Sequence, residues 1–114
     1  MKKIIFIFSF FFLATSCTKE KAVAAIITAD CPDTIKFSTQ ISPMITTYCT
    51  GCHTSGGSAS PVFTSYSSIE THASTMLKYM KADGVQLMPQ GGPALNDSLI
   101  QQFTCWINQG KQNN

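Results

Sequence analysis

Two cysteines and a histidine stand within five consecutive residues, Cys49-Thr50-Gly51-Cys52-His53. This C-x-x-C-H arrangement is typical of the covalent attachment of a c-type haem. Two thiols at this spacing can add across the vinyl groups of a haem while the adjacent imidazole reaches the iron. The motif therefore predicts a haem bound through Cys49 and Cys52, with His53 as an axial ligand.

A zinc half-site, a thioredoxin-like redox pair or a chance match could also produce this pattern. A zinc site would need a second Cys/His pair at ligand spacing, and the other histidine of the chain, His72, has no such partner nearby. A redox pair would need a preceding strand within a βαβ pattern, which the sequence does not indicate. We expect His72 to be a surface or hydrogen-bonded histidine rather than an iron ligand.

Residues 86–93 are dense in proline and glycine and predict a constrained loop that carries Met88. Pro89 disfavours helical geometry at the residue before it, so Met88 should lie outside a helix. A thioether held on such a loop could serve as the second axial ligand of a haem iron. Core packing is the other role open to Met88, and then Met80 would be the ligand or the sixth position would be open.

Helical periodicity predicts a first helix that positions the motif. Ser42-Pro43 is typical of a helix start, with the serine as N-cap, and the cysteines should lie at the C-terminal end of this helix. Residues 54–61, rich in glycine and serine, predict a loop along the proximal edge of the haem. We expect the carbonyl of Pro61, or of a neighbour, to accept a hydrogen bond from the other ring nitrogen of His53.

Two further helices are expected. One should be capped by Ser67 or Ser68 and contain a break near Ser74. The last should follow the N-cap Asn96 and cross the first helix to close the haem pocket. Residues 111–114 are polar and predict a loose tail.

The N-terminal residues 1–16 are typical of a signal peptide of the lipoprotein type. Two lysines precede an apolar run over residues 4–13, too short to span a bilayer, and small residues follow directly before Cys17. We expect Cys17 to be lipidated, with an ordinary secretory signal as the alternative. Residues 17–30 then predict a tether, and 31–114 a single small domain.

Five cysteines must be accounted for. Lipidation uses Cys17 and haem attachment uses Cys49 and Cys52, which leaves Cys31 and Cys105. In an oxidising compartment such a pair most often forms a disulfide, which would tie the start of the domain to the last helix. Two free buried thiols are the alternative.

The charge balance argues against nucleic acid as a partner. Without residues 1–16 the chain loses Lys2 and Lys3, so the formal charge falls from +2 to 0. All eight basic residues are lysines, and arginine is absent. The chain therefore offers neither a basic patch nor bidentate phosphate contacts.

The motif from Cys49 to His53, the Met88-Pro89 loop and a terminal helix with Trp106 resemble a small class I c-type cytochrome. The short cytochrome-c-like domains found in bacterial lipoproteins and fused to larger surface proteins are similar over essentially the whole mature chain. The resemblance implies an all-α fold of about four short helices around one covalent haem c. It also implies that Cys49 and Cys52 bind the haem, with His53 as proximal and Met88 as distal ligand.

The function expected from this resemblance is one-electron transfer. The protein would be a monomer, lipid-anchored to the cell envelope and facing the periplasm or the cell surface, where it exchanges electrons with redox partner proteins. Occupied axial positions leave no site for a substrate, and the sequence supplies no evident general base or nucleophile, so no enzymatic activity is expected. The alternative is a haem-based ligand sensor or a structural haem module with an open or displaceable sixth position.

Overall fold

The computed structural model describes Cys31 and residues 34–114. The predicted signal peptide of residues 1–16, the lipidation site Cys17 and the tether of residues 17–30 lie outside this part of the chain. Within it, no helix is long and apolar enough to cross a membrane.

All regular secondary structure in the described residues is helical, which confirms the predicted all-α class. A π-helical turn over Phe37–Ile41 runs directly into helix α1, Ser42–Tyr48. Helix α2 spans Tyr66–Met80 and helix α3 spans Asp97–Asn108. One hydrophobic core joins these elements, and its fully buried side chains include Ile41, Phe103 and Trp106.

The first helical stretch begins earlier than the sequence predicted. Ser42 has φ −58° and ψ −46°, inside the helix, and its backbone N–H donates to the carbonyl of Phe37. The prediction of Ser42 as N-cap was therefore wrong, because the buried side chains of Phe37 and Ile41 extend the apolar stripe one turn upstream. Pro43 lies in the first turn of α1, directly after the π-helical turn.

The N-cap of α2 is Ser65, whose hydroxyl accepts a hydrogen bond of 3.3 Å from the Ser68 N–H. The predicted caps, Ser67 and Ser68, both lie inside the first turn, and the Ser68 hydroxyl donates to the Val62 carbonyl instead. The predicted break near Ser74 is also absent from this helix, because one continuous buried stripe holds it against the core. The stripe consists of Ile69, Ala73, Met76 and Met80.

Helix α3 begins as predicted. The side-chain oxygen of Asn96 accepts a hydrogen bond of 2.9 Å from the Leu99 N–H, which caps the helix. α3 packs against α2 and against the π-helical turn that leads into α1. The rings of Phe37 and Trp106 mark this second contact, with centroids 5.6 Å apart.

The C-terminal tail is part of the fold, contrary to the prediction. The side-chain oxygen of Asn114 accepts a hydrogen bond of 2.8 Å from the Phe37 N–H, and its backbone oxygen accepts one of 2.9 Å from Ser38. These N–H groups open the first helical stretch and so have no partner within it. The tail was mispredicted because its polar composition does not reveal that its oxygens serve a distant helix start. Two aromatic side chains also donate to tail carbonyls, Trp106 to Gln112 at 3.0 Å and Tyr66 to Lys111 at 2.7 Å.

The start of the domain is joined to α3 by a disulfide and a hydrogen bond. Cys31 and Cys105 are disulfide-bonded, with Cα atoms 5.5 Å apart and 74 positions between them in sequence. The Ile35 N–H donates to the side-chain oxygen of Gln109 at 2.7 Å. These links hold the segment before the π-helical turn against the last helix.

Candidate haem-attachment site

The three motif residues lie on the turn that follows α1. The Cys49 N–H donates to the Ile45 carbonyl at 2.8 Å, and the Cys49 carbonyl accepts hydrogen bonds from Cys52 at 3.2 Å and from His53 at 2.9 Å. The chain therefore continues to coil after Tyr48. This coil carries both thiols and the imidazole on one turn, as the sequence predicted, although the turn lies beyond the end of α1.

The two thiols differ in environment. Cys52 is exposed, whereas Cys49 is partly buried and packs against the core. Burial raises the pKa of the Cys49 thiol from its ordinary 9.0 to about 11. The thiolate is the reactive form of a cysteine. Cys49 should therefore react more slowly than Cys52, because its thiol is less exposed and its raised pKa keeps it protonated.

His53 is held in one tautomer. Its Nδ1 lies 2.7 Å from the carbonyl oxygen of Pro61, which confirms the expected hydrogen bond. A carbonyl oxygen can only accept, so Nδ1 must carry the proton, and in the neutral imidazole the lone pair is then on Nε2. An imidazole in this state is ready to ligate a metal through Nε2.

The ring of His53 also stacks on Phe63. The ring centroids are 4.6 Å apart and the planes are inclined by 28°. The backbone is coupled too, because the Phe63 N–H donates to the His53 carbonyl at 2.8 Å. Sequence reasoning did not identify Phe63; the one available signal was an aromatic residue close to the expected partner Pro61.

The glycine-rich loop folds back onto the motif. The Ala59 N–H donates to the Cys52 carbonyl at 3.1 Å, and the Gly57 N–H donates to the Thr54 carbonyl at 2.9 Å. A Cβ atom at Gly57 would collide with the carbonyl oxygen of Cys52. Glycine is therefore required at this position for the loop to approach the cysteine turn.

Met88 lies outside the helices, as predicted, on the segment between α2 and α3. Its backbone N–H donates to the Tyr79 carbonyl at 3.1 Å, and its side chain is partly exposed. Three other methionines, Met44, Met76 and Met80, are core residues with exposed fractions of 4%, 6% and 4%. Among the described methionines, Met88 is thus the one not committed to the core.

A cleft of about 400 Å³ separates the end of α1 from the loop that follows Met88. This volume falls in the range of small-molecule sites. The cleft begins next to the motif on one side, at Tyr48, and next to Met88 on the other, at Pro89. Its lining is Thr47, Tyr48, Pro89, Gly92, Pro93, Ala94, Leu95 and Asn96. The segment before Cys49 therefore faces the segment after Met88.

His72 is engaged in other contacts, in line with its expected role. Its Nδ1 lies 2.8 Å from the carbonyl oxygen of Ser68. Its ring meets Phe63 edge-on, with centroids 5.9 Å apart. In the described part of the chain, no group of three or more His, Cys, Asp or Glu residues is arranged to hold a metal ion.

The donor set of the site fits a covalently bound haem. Two free thiols lie on one turn, the adjacent imidazole uses Nδ1 for its hydrogen bond to Pro61, and Met88 lies on the loop directly before the cleft-lining Pro89. Thiols, imidazole and thioether are the groups by which c-type haem is attached and ligated. No protein-family model matches the chain, and no curated protein and no solved structure matches it.

Proposed function

We propose that this chain is a one-electron carrier with a single c-type haem attached to Cys49 and Cys52. The hydrogen bond from His53 Nδ1 to the Pro61 carbonyl carries the proposal, because it selects the neutral tautomer in which Nε2, the nitrogen that would ligate the iron, has the lone pair. When bound, the haem would supply an iron centre that accepts and releases one electron. The chain supplies the attachment, the axial ligands and a shell that limits contact with water.

The proposed domain is a small class I cytochrome of the kind found in envelope lipoproteins. The π-helical turn and α1 lead into the motif, α3 packs against α2 and against the π-helical turn, and the segment between α2 and α3 forms the far wall of the cleft. These elements would take the place of the expected four short helices around the haem. Packing of Phe37 on Trp106 holds the first and last elements together.

Met88 is the proposed second axial ligand. Its backbone is fixed to Tyr79, and its side chain is not committed to the core. A thioether opposite an imidazole raises the reduction potential, and two occupied axial positions leave no room for a substrate. The role we propose is therefore electron transfer rather than catalysis.

The partner is proposed to be a redox protein of the cell envelope. The net charge of residues 17–114 is zero, and Lys111 lies 3.7 Å from the carboxylate of Glu70. Long-range steering is weak for such a surface. The lipid anchor proposed at Cys17 would instead keep the carrier near its partners by tethering.

Haem attachment can be tested by intact mass and absorption spectrum after expression with a c-type cytochrome maturation system. The wild-type chain should carry the mass of one haem. The double variant Cys49→Ala/Cys52→Ala should lose it, whereas Cys31→Ala/Cys105→Ala, which also removes two cysteines, should retain it. A wild-type chain without the added mass contradicts the proposal.

A further inference from the structure

The short segment from Pro61 to Phe63 makes three contacts with His53. Pro61 accepts from Nδ1 at 2.7 Å, Phe63 stacks on the ring, and the Phe63 N–H donates to the His53 carbonyl at 2.8 Å. A single hydrogen bond tolerates a wide range of angles, and the second side-chain torsion of histidine is intrinsically broad. The Pro61 bond therefore selects the tautomer but does not by itself define the plane of the ring.

The stacked ring of Phe63 restricts the plane of the His53 ring. The plane of Phe63 lies within 28° of the plane of His53, at contact separation. Rotation of the imidazole about its Cβ–Cγ bond would push one ring edge into the phenyl face. Phe63 cannot easily yield, because its side chain is 7% exposed and its backbone is bonded to His53.

Phe63 also contacts a second ring, that of His72. His72 approaches it edge-on at 5.9 Å with an interplanar angle of 62°, a geometry that aromatic pairs favour. The His72 ring is fixed by its Nδ1 contact of 2.8 Å with the Ser68 carbonyl, on the first turn of α2. The three rings form a continuous row from the motif to α2.

We propose that Phe63 is a positioning residue that fixes the ring plane of His53, with His72 as the support that fixes Phe63. This inference rests on the proposed function, since it concerns the residue expected to ligate the iron. Outer partners of a ligating histidine fix its ring orientation as well as its tautomer. In a ferric haem protein, that orientation is read directly from the pattern of the paramagnetically shifted haem methyl resonances.

The experiment records this pattern by proton NMR on the oxidised, haem-loaded protein. Phe63→Leu removes the flat face, and Phe63→Tyr retains it; Phe63 borders a cleft of about 270 Å³ that leaves room for a hydroxyl. His72→Ala removes the support but leaves the stacked pair. Phe103→Leu is the matched control, because Phe103 is a fully buried phenylalanine that packs on Trp106.

We expect a shifted methyl pattern in Phe63→Leu, a smaller shift of the same kind in His72→Ala, and the wild-type pattern in Phe63→Tyr and Phe103→Leu. A wild-type pattern in Phe63→Leu, with haem attached, overturns the proposal and leaves the proposed function intact. An equal shift in Phe103→Leu also overturns it, since general loss of packing would then explain the effect. If Phe63→Leu does not fold, the other two variants decide. The proposal is then overturned by an unshifted methyl pattern in His72→Ala together with a shifted pattern in Phe63→Tyr.

A wild-type chain that carries no haem overturns both proposals.

Discussion

The backbone N–H of Met88 donates a hydrogen bond of 3.1 Å to the carbonyl of Tyr79, near the end of α2. This hydrogen bond therefore connects the loop that carries the proposed distal ligand to helix α2, which packs in the core. Met80, one residue after Tyr79, has an exposed fraction of 4% and belongs to that core. The two methionines thus differ in environment, since Met80 is a core residue and Met88 is partly exposed.

Replacing Met88 should change the iron and leave the fold unaltered. In Met88→Leu we expect loss of the weak far-red band of methionine-ligated ferric haem and a lower reduction potential, because the thioether stabilises the reduced iron. Met80→Leu, the matched control, should keep the band and cost less than about 1.5 kcal/mol of stability. The check is absorption spectroscopy with a redox titration.

The same pair of variants separates a carrier from a ligand sensor. Wild-type protein with Met88 on the iron should not bind carbon monoxide, whereas Met88→Leu should. Carbon monoxide binding to the untouched wild-type protein would favour the sensor. If the far-red band were lost in Met80→Leu but kept in Met88→Leu, the iron ligand would be Met80 and the proposal for Met88 would be wrong.

The disulfide should stabilise the domain substantially. Cys31 and Cys105 lie 74 positions apart, and chain-entropy models give about 4 kcal/mol for a closed loop of that length. Urea unfolding of Cys31→Ala/Cys105→Ala should show a loss of that order while haem attachment persists. An unchanged unfolding midpoint would show that this cross-link contributes little.

Asn114 should act as a cap for a distant helix start. Asn114→Ala removes the side-chain acceptor of the Phe37 N–H and should cost about 1 kcal/mol, the usual effect of losing a helix cap. The neighbouring Asn113 is exposed, so Asn113→Ala is the control and should leave thermal stability unchanged. Equal melting temperatures for the two variants would argue against the capping role.

The thiols should react unequally in protein prepared without haem. Cys52 is exposed, while burial raises the pKa of Cys49 to about 11. Alkylation near pH 8 should therefore modify Cys52 first, and Cys49 should follow only as the pH approaches 11. Stability of this form should also fall between pH 9 and 11, because the unfolded chain ionises Cys49 at its ordinary value of 9.0 and the folded chain does not.

The rate of alkylation of each thiol can be measured by mass spectrometry. The single variants Cys49→Ala and Cys52→Ala identify which thiol gives which rate. Equal rates at pH 8 would contradict the burial of Cys49. The unfolding midpoint, followed from pH 8 to pH 11, checks the sign of the stability change independently.

Local chemistry made part of this structure predictable. Asn96 marked the start of α3 because its side chain caps the helix within three residues, and the partner of His53 could be narrowed to Pro61 or a neighbour because the loop between them is short. Signals of this kind are contained in a few neighbouring residues. The starts of the first helical stretch and of α2 were misplaced, because burial of Phe37 and Ile41 and the hydroxyl of Ser65 outweighed the serines that composition favoured.

Long-range contacts were harder to foresee. No local pattern indicates that Asn114 bonds to Phe37. For the stacking of Phe63 on His53 the sequence offered one signal, an aromatic residue close to Pro61, and it offered none for the contact of His72 with Phe63. The placement of the motif on one turn could be predicted from its spacing and the Pro61 carbonyl was among the expected partners of His53, while the stacking of Phe63 became evident only from the fold.

The most direct test of the central claim is whether the pigment stays with the polypeptide. Protein matured in a c-type cytochrome host should be extracted with acidified organic solvent, and the pellet examined as the reduced pyridine complex. Haem joined through Cys49 and Cys52 should remain in the pellet and give the spectrum of a haem whose vinyl groups are both saturated. Colourless protein, or pigment released into the solvent, would contradict the account.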